Sequence, residues 1–251
     1  MKLAVIVPTY YRGGNTTLVT LHAMFKMLYA QTYSDFKLFL VGDCYTEHTE
    51  LEQIASTYKK DIHCADMENH YRWLSDTYSR WCVGGVRAIH YGVKQAICEG
   101  FDYYLHLDDD DYWEPNHIED VVNVIKLYPD TDIIISKSQY LNVYLPKNAP
   151  TALGYNNYIP KGCDSVHSSS TLKLHTVGSH ICNLCKEIST NVVPYDEQGI
   201  KFIPFDMQLL DIFNQEVVNG NLRCVCSSTC TVSKRTDGNY PQKELLEQSL
   251  E

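Results

Sequence analysis

Phe101-Asp102-Tyr103-Tyr104-Leu105-His106-Leu107-Asp108-Asp109-Asp110-Asp111-Tyr112-Trp113-Glu114-Pro115 decides the fold. Its first seven residues pack Phe, Tyr, Tyr, Leu and Leu into a run of strand length, which reads as a buried strand. Four carboxylates follow directly. Like charges held together repel and raise one another's pKa, so a fold that keeps such a run after a buried strand calls for a cation. Side chains alternate along a strand. Extended geometry carried past Leu107 would put Asp108 and Asp110 on one side and Asp109 and Asp111 on the other. Two carboxylates at the C-terminal end of a strand make half of a Mg²⁺ or Mn²⁺ site, with water and phosphate oxygens as the other half. The competing reading is a solvated acidic turn.

Outward from this stretch, strand and helix alternate. Leu3–Val7 reads as a strand ended by Pro8-Thr9-Tyr10. After the Gly13-Gly14-Asn15 loop, Thr16 or Thr17 caps a helix predicted over Leu18–Ala30. Phe36–Val41 is a second strand, ending at Gly42-Asp43; a helix is expected over Glu47–Tyr58 and a short strand over Ile62–Ala65. Asp66–Trp81 is polar and aromatic, the composition of a long loop. Val86–Glu99 is a helix stopped by Gly100. Beyond the Asp run, Pro115 suits the first turn of a helix running to Leu127, and Asp132–Ser136 is another strand. Such alternation argues an α/β fold with a largely parallel sheet, whose ligands lie outside the carboxyl ends of the strands. Thr9-Tyr10, Asp43 and Asp108–Asp110 all fall at such ends. From Gln139 the pattern weakens into Asn, Pro, Gly, Tyr and Ser through Ser170, which suggests hairpins or a mobile segment. Phe205–Asn214 reads as a helix, Leu222–Val232 as one or two strands, and Thr236–Glu251 as a polar tail.

The chain has 251 residues, enough for a substantial core, with 44% hydrophobic and 21% charged residues. A formal net charge of −10 and the lack of a dense Lys/Arg run argue against binding nucleic acid. A bound cation would reverse the local field, so phosphorylated small molecules remain suitable substrates. The apolar runs are strand-sized, so no transmembrane segment is expected. Ten cysteines without a signal-peptide pattern point to reduced thiols and a cytoplasmic location, with peripheral membrane association left open.

Four motifs, in order and spacing, resemble those of the family-two glycosyltransferases of the GT-A fold. They are Val7-Pro8-Thr9-Tyr10-Tyr11-Arg12, Gln31-Thr32-Tyr33 before the second strand, Gly42-Asp43-Cys44-Tyr45-Thr46-Glu47, and Leu107-Asp108-Asp109-Asp110-Asp111-Tyr112-Trp113-Glu114-Pro115. Tyr11 stands where the family usually has Asn, and Gly42 where it has a first Asp. The likeness is close in the first half of the chain and loose in the second. It implies a Rossmann-like three-layer α/β sandwich with a mostly parallel central sheet, in one domain over 1–251. Residues 1–115 would bind the nucleotide-sugar and 116–251 the acceptor.

The resemblance also implies a chemistry: transfer of a sugar from a nucleoside diphosphate sugar, a UDP-sugar by default, to a hydroxyl of a glycan, lipid or protein acceptor. Asp110 is then the direct ligand of Mn²⁺ or Mg²⁺ and Asp108 a second, direct or through water. Asp109 contacts ribose or a metal-bound water, and Asp111 favours the start of the next helix. Asp43 accepts the N–H of the base, and Pro8, Thr9 and Tyr11 line the base and ribose pocket. Arg87 or Arg80 reaches the nucleotide. Asp206, with Asp196 and Glu197 as runners-up, is the general base, and a single base implies inversion at the anomeric carbon. Arg235 or Lys234, in Ser233-Lys234-Arg235-Thr236-Asp237-Gly238, folds over the diphosphate.

Two other readings compete. A nucleotidyltransferase on a similar fold would carry a Gly-rich loop with Lys after the first strand, whereas Arg12-Gly13-Gly14 has no Lys. A non-catalytic, metal-dependent sugar-binding domain would need no late base. Cys182-Asn183-Leu184-Cys185 and Cys224-Val225-Cys226 with Cys230 and His180 invite a zinc reading, but one CxxC and one CxC favour buried free thiols.

Overall fold

The computed structural model describes residues 1–12, 16–43, 45, 48–58, 61–67, 80, 82–140, 154–156, 170–191 and 204–234. The first strand, β1 (Leu3–Thr9), is apolar on both faces, and Ala4, Val5, Ile6 and Val7 are all fully buried. A strand of this kind belongs in the middle of a parallel sheet covered on both sides. It pairs in parallel with β2 (Lys37–Gly42) on one edge and β4 (Tyr103–His106) on the other, with Val5 opposite both Leu38 and Leu105. β3 (Ile62–Asp66) pairs in parallel outside β2.

Strand alternation divides the core. Leu3, Val5, Val7, Leu38, Leu40, Tyr103 and Leu105 face one layer, formed by α1 (Thr16–Tyr29), α2 (His48–Ser56) and α4 (His117–Leu127). Ala4, Ile6, Phe39, Val41 and Tyr104 face the other, formed by α3 (Val86–Cys98), α5 (Leu174–Asn191) and α6 (Phe205–Val218). Helix α3 buries Val86, Ile89, Val93 and Ala96, the spacing of one helical face. Each large aliphatic among them contributes about 1.5–3 kcal/mol of burial. The result is the three-layer α/β sandwich expected from the sequence.

The second half departs from the expected pattern. β8 (Ser170–Lys173) inserts antiparallel between β4 and β6 (Ile133–Tyr140), and β9 (Cys224–Lys234) lies parallel to β6. Two short strands, β5 (Tyr112–Trp113) and β7 (Gly154–Asn156), pair antiparallel with β9. The sheet order is β3-β2-β1-β4-β8-β6-β9-β5, with β7 off this path on β9.

Several expectations need correction. The helix after the Asp run starts at His117, because Pro115 and Asn116 precede it as an exposed turn. Leu222–Val232 forms one strand, displaced to Cys224–Lys234. The helix Leu174–Asn191 was not expected at all. Its Leu174, Val177, Ile181, Leu184, Cys185 and Ile188 all enter the core, and Cys182 packs against it. Cys185, Cys224 and Cys226 are buried in that same apolar core, and among the described residues no three His, Cys, Asp or Glu side chains converge as a metal cage. Cys230 has no described side chain. Most of Asp66–Trp81, most of the stretch between β6 and β8, and the polar tail lie outside the described residues. Among the described residues, no helix is long and apolar enough to cross a membrane.

Candidate active site

Parallel order brings the carboxyl ends of β3, β2, β1 and β4 side by side, so Asp66, Asp43, Thr9 and the Asp run share one edge of the sheet. β4 ends at His106, and the Asp111 N–H donates to the Asp108 carbonyl at 3.1 Å. The Asp run is therefore a turn, not the continued strand whose alternation was expected. Charge crowding favours this outcome, since a turn lets each carboxylate find its own partner.

Asp109 is drawn inward and is 4% exposed. Arg12 grips it bidentately, Nη1 to Oδ2 at 2.8 Å and Nη2 to Oδ1 at 2.5 Å. The Thr9 hydroxyl donates to Asp109 Oδ2 at 2.6 Å, and the Tyr45 hydroxyl lies 2.7 Å from Thr9 Oγ1. With the Thr9 proton directed at Asp109, Tyr45 is the donor in that second bond. Burial pushes the Tyr45 phenol well above its ordinary value, which keeps it a donor. Arg12 also stacks over the Tyr10 ring, 4.2 Å from its centroid, and its backbone N–H donates to Thr17 Oγ1 at 2.8 Å. Both oxygens of Asp109 are thus engaged by protein groups.

Asp108 and Asp110 remain part-exposed, at 31% and 32% of the side chain. Arg12 Nη2 is 3.8 Å from Asp110 Oδ2. Burial first, then Asp109 and Asp108, push the Asp110 carboxyl up to about 7, with Arg12 opposing. Hard oxygen donors crowded by like charge suit a small divalent cation. No third protein ligand converges on them among the described residues, so water and substrate oxygens would complete the shell.

Asp43 is 3% exposed. Its N–H donates to the Thr9 carbonyl at 2.7 Å, and its Oδ2 accepts the Gly85 N–H at 3.3 Å. Gly85 adopts φ 74°, a left-handed conformation suited to glycine, which aims that N–H at Asp43 as the chain enters α3. Beside it, Asp66 accepts the Tyr45 N–H with both oxygens at 3.1 Å. This contact explains Gly42: a Cβ there would fall 2.4 Å from Asp66 Oδ1 and 2.9 Å from Tyr45 Cδ2. Tyr11 is 37% exposed, with its ring 6.3 Å from that of Tyr45. Pro8 lies under Gly85.

The floor is fastened from behind. The Trp113 ring stacks on His117 at 4.3 Å, the Trp113 backbone N–H donates to Met27 Sδ at 2.8 Å, and His117 Nδ1 meets Thr231 Oγ1 at 2.8 Å. Burial pushes the His117 imidazole down to about 3, so it is neutral.

Of the residues expected at the site, Pro8, Thr9, Tyr11, Asp43, Asp108, Asp109 and Asp110 lie along this one edge. Arg87 is half-buried in the first turn of α3, and Arg80 is exposed. Asp206 is half-buried in the first turn of α6; Pro204 holds the N-cap position, so Asp206 is not the cap. Arg235, Asp196 and Glu197 lie outside the described residues, and Lys234 is placed by its backbone alone. Arg12, Tyr45, Asp66, Gly85 and His106 are additional members of the site. A strand running into Asp66 repeats the pattern that singled out Asp43, and this signal was readable beforehand.

The profile of glycosyl transferase family 2 matches residues 4–149. The uncharacterized glycosyltransferase R139 of Acanthamoeba polyphaga mimivirus is 31% identical over 183 residues, covering 69% of this chain and 73% of that one. An uncharacterized glycosyltransferase of Rickettsia felis is 28% identical over 134 residues, 53% of this chain and 19% of its own. Among solved structures, residues 1–349 of S. aureus TarS in complex with UDP superpose with a TM-score of 0.64 at 17% identity, over 94% of this chain and 61% of that one. The same fragment with UDP-GlcNAc gives a TM-score of 0.62 at 16% identity, over 97% and 61%. This chain spans less than two thirds of those solved chains, and at such identity the likeness shows the fold, that of a GT-A glycosyltransferase. A profile that takes in more than half of the residues, together with a relative 31% identical over most of both chains, establishes that the chain belongs to glycosyl transferase family 2.

Proposed function

We propose that this glycosyltransferase moves a sugar from a UDP-sugar to an acceptor hydroxyl, with inversion at the anomeric carbon and with Mn²⁺ or Mg²⁺ at Asp108 and Asp110. One observation carries the reading: Asp43, Thr9 and the Asp108–Asp110 turn lie together at the ends of adjacent parallel strands. The UDP and UDP-GlcNAc complexes of TarS support uracil as the base.

In this reading Asp43 accepts the base N–H, while Pro8, Thr9 and Tyr11 wall the base and ribose. Arg87 reaches the nucleotide from α3, and Arg235 covers the diphosphate. The Arg12–Asp109 pair fixes the turn so that Asp108 and Asp110 need no rearrangement when the donor binds. A divalent cation bound there supplies Lewis-acid stabilisation of the charge on the departing diphosphate. Asp206 takes the proton of the acceptor hydroxyl as that oxygen bonds to the anomeric carbon. The bond from that carbon to the phosphate oxygen breaks, and its electron pair leaves with UDP.

The test is a thermal-shift panel of UDP, GDP, TDP and CDP with and without Mn²⁺, since a ligand of the native state raises Tm. Stabilisation by UDP only with Mn²⁺, abolished in Asp110→Ala, is expected. No shift with any nucleotide, with or without metal, overturns the reading.

A further inference from the structure

We infer that His106 is a positioning residue for the cation site: it holds one oxygen of Asp108, so that Asp108 presents its other oxygen alone to the cation. The inference deepens the proposed function and rests on it.

Tyr104 and His106 lie two residues apart on one side of β4, and Asp108 follows in the turn just past its end. Tyr104 is fully buried and His106 is 2% exposed. The Tyr104 hydroxyl makes a short hydrogen bond with His106 Nδ1, and His106 Nε2 lies 3.0 Å from Asp108 Oδ1. The rings meet edge to face, 5.8 Å apart at 73°. A buried phenol keeps its one proton and donates it to the nearest acceptor, Nδ1. The imidazole proton is then on Nε2, aimed at Asp108. A central strand position of this burial ordinarily takes an aliphatic residue. A histidine there costs desolvation unless both nitrogens are satisfied, and here both are.

The consequence falls on Asp108. With Oδ1 held from inside the sheet, its carboxylate plane is fixed and chelation through both oxygens is disfavoured. Single-oxygen ligation suits the octahedral shell of Mg²⁺ or Mn²⁺, whereas Ca²⁺ accepts bidentate carboxylates. His106 thereby sets both the affinity and the choice of cation, as groups behind a metal ligand do.

The experiment measures Mn²⁺ binding to the full chain with UDP present, by electron paramagnetic resonance, and then displacement by Ca²⁺. His106→Leu is expected to weaken Mn²⁺ binding about 10–100-fold and to narrow the preference over Ca²⁺. His106→Gln, whose amide N–H sits near the Nε2 position, is expected to stay within roughly threefold of wild type. Asp108→Asn and the Asp108→Asn/His106→Leu double variant are expected to lose the same amount, because His106 acts through Asp108. Wild-type affinity in His106→Leu, or a double variant well below Asp108→Asn, overturns the inference. Should His106→Leu not fold, Tyr104→Phe takes its place: freeing the tautomer weakens Mn²⁺ binding if the inference holds, and unchanged affinity overturns it. A wild type that binds no Mn²⁺ with UDP overturns the proposed function as well; a wild type that binds it beside unaffected variants overturns this inference alone.

Discussion

Arg12→Met removes the guanidinium that grips Asp109 and stacks over Tyr10, while keeping an aliphatic side chain in its place. Asp109 is left 4% exposed with the Thr9 hydroxyl and without its two charge-assisted bonds of 2.8 and 2.5 Å. Breaking a buried ion pair from one side costs about 3–5 kcal/mol, because the remaining charge stays desolvated. The Arg12 side chain is 15% exposed, which lets some water reach the gap and places the loss at the lower end, about 3 kcal/mol. For a domain of this size that is a fall in Tm of roughly 6–12 °C. The companion variant Arg12→Met/Asp109→Asn removes the orphaned charge and keeps an acceptor for Thr9. It is expected to recover at least half of the loss, since removing both partners of a buried pair is far milder than removing one. Urea and thermal unfolding followed by circular dichroism near neutral pH measure both. A loss below about 1 kcal/mol, or a double variant no more stable than the single, would refute the claim that this pair holds the turn.

Asp110→Asn gives a test with a sign. The Asp110 carboxyl titrates near 7 in the folded protein and near 3.8 when unfolded, so the native state binds the extra proton between those values. Wild-type stability without metal therefore falls as pH rises through this window, relative to Asp110→Asn, and cation binding strengthens as pH rises through about 7. Parallel melts at low and high pH, with and without Mn²⁺, check both slopes; equal slopes in the two proteins would count against it. Gly42→Ala should cost about 1–3 kcal/mol, because the added methyl displaces the Asp66 carboxylate or the Tyr45 ring, and urea unfolding reads the loss. Asp43→Asn should weaken UDP binding roughly 10-fold, or about 1.4 kcal/mol, by calorimetry while leaving Tm nearly unchanged. Asp206→Asn should lower kcat by about 10²–10⁴ with UDP binding retained, and a variant with normal turnover would free Asp206 of the base role.

The first half of this fold was legible because its signals are local. The runs Leu3–Val7 and Phe36–Val41 are apolar on both faces, which only a central parallel strand satisfies, and each runs into a polar residue that the site uses. The second half hides its structure in long-range pairing. β8 runs only from Ser170 to Lys173, and it becomes a strand because β4 and β6 flank it. Helix α5 carries a proper apolar stripe, but His175, Thr176, Gly178, Asn183 and Thr190 are weak helix formers, and packing on α3 decides the matter. Within the site, the position of each strand end could be read, but not which way each carboxylate turns. Asp109 is neighbour to Asp108 and Asp110 in sequence, yet it points inward because Arg12, 97 residues away, waits there. His106 looked like one more residue of a buried strand, and the role inferred for it depends on having Tyr104 on one nitrogen and Asp108 on the other.

The pairing of β5 with β9 has a consequence for the order in which this protein becomes competent during synthesis. The strand-end residues Thr9, Asp43 and Asp66 are all translated by residue 66, and the Asp-rich turn by residue 111. Yet Tyr112 and Trp113 are clamped by Ser233 and Val232, and His117 by Thr231. A nascent chain that has not yet released those residues from the ribosome can assemble the parallel strands but leaves its acidic turn unbraced. Domains otherwise mature from the N-terminus as they emerge. Here the last described strand acts as a latch, so the growing polypeptide holds an unfastened acidic turn until nearly all of the described fold has been made.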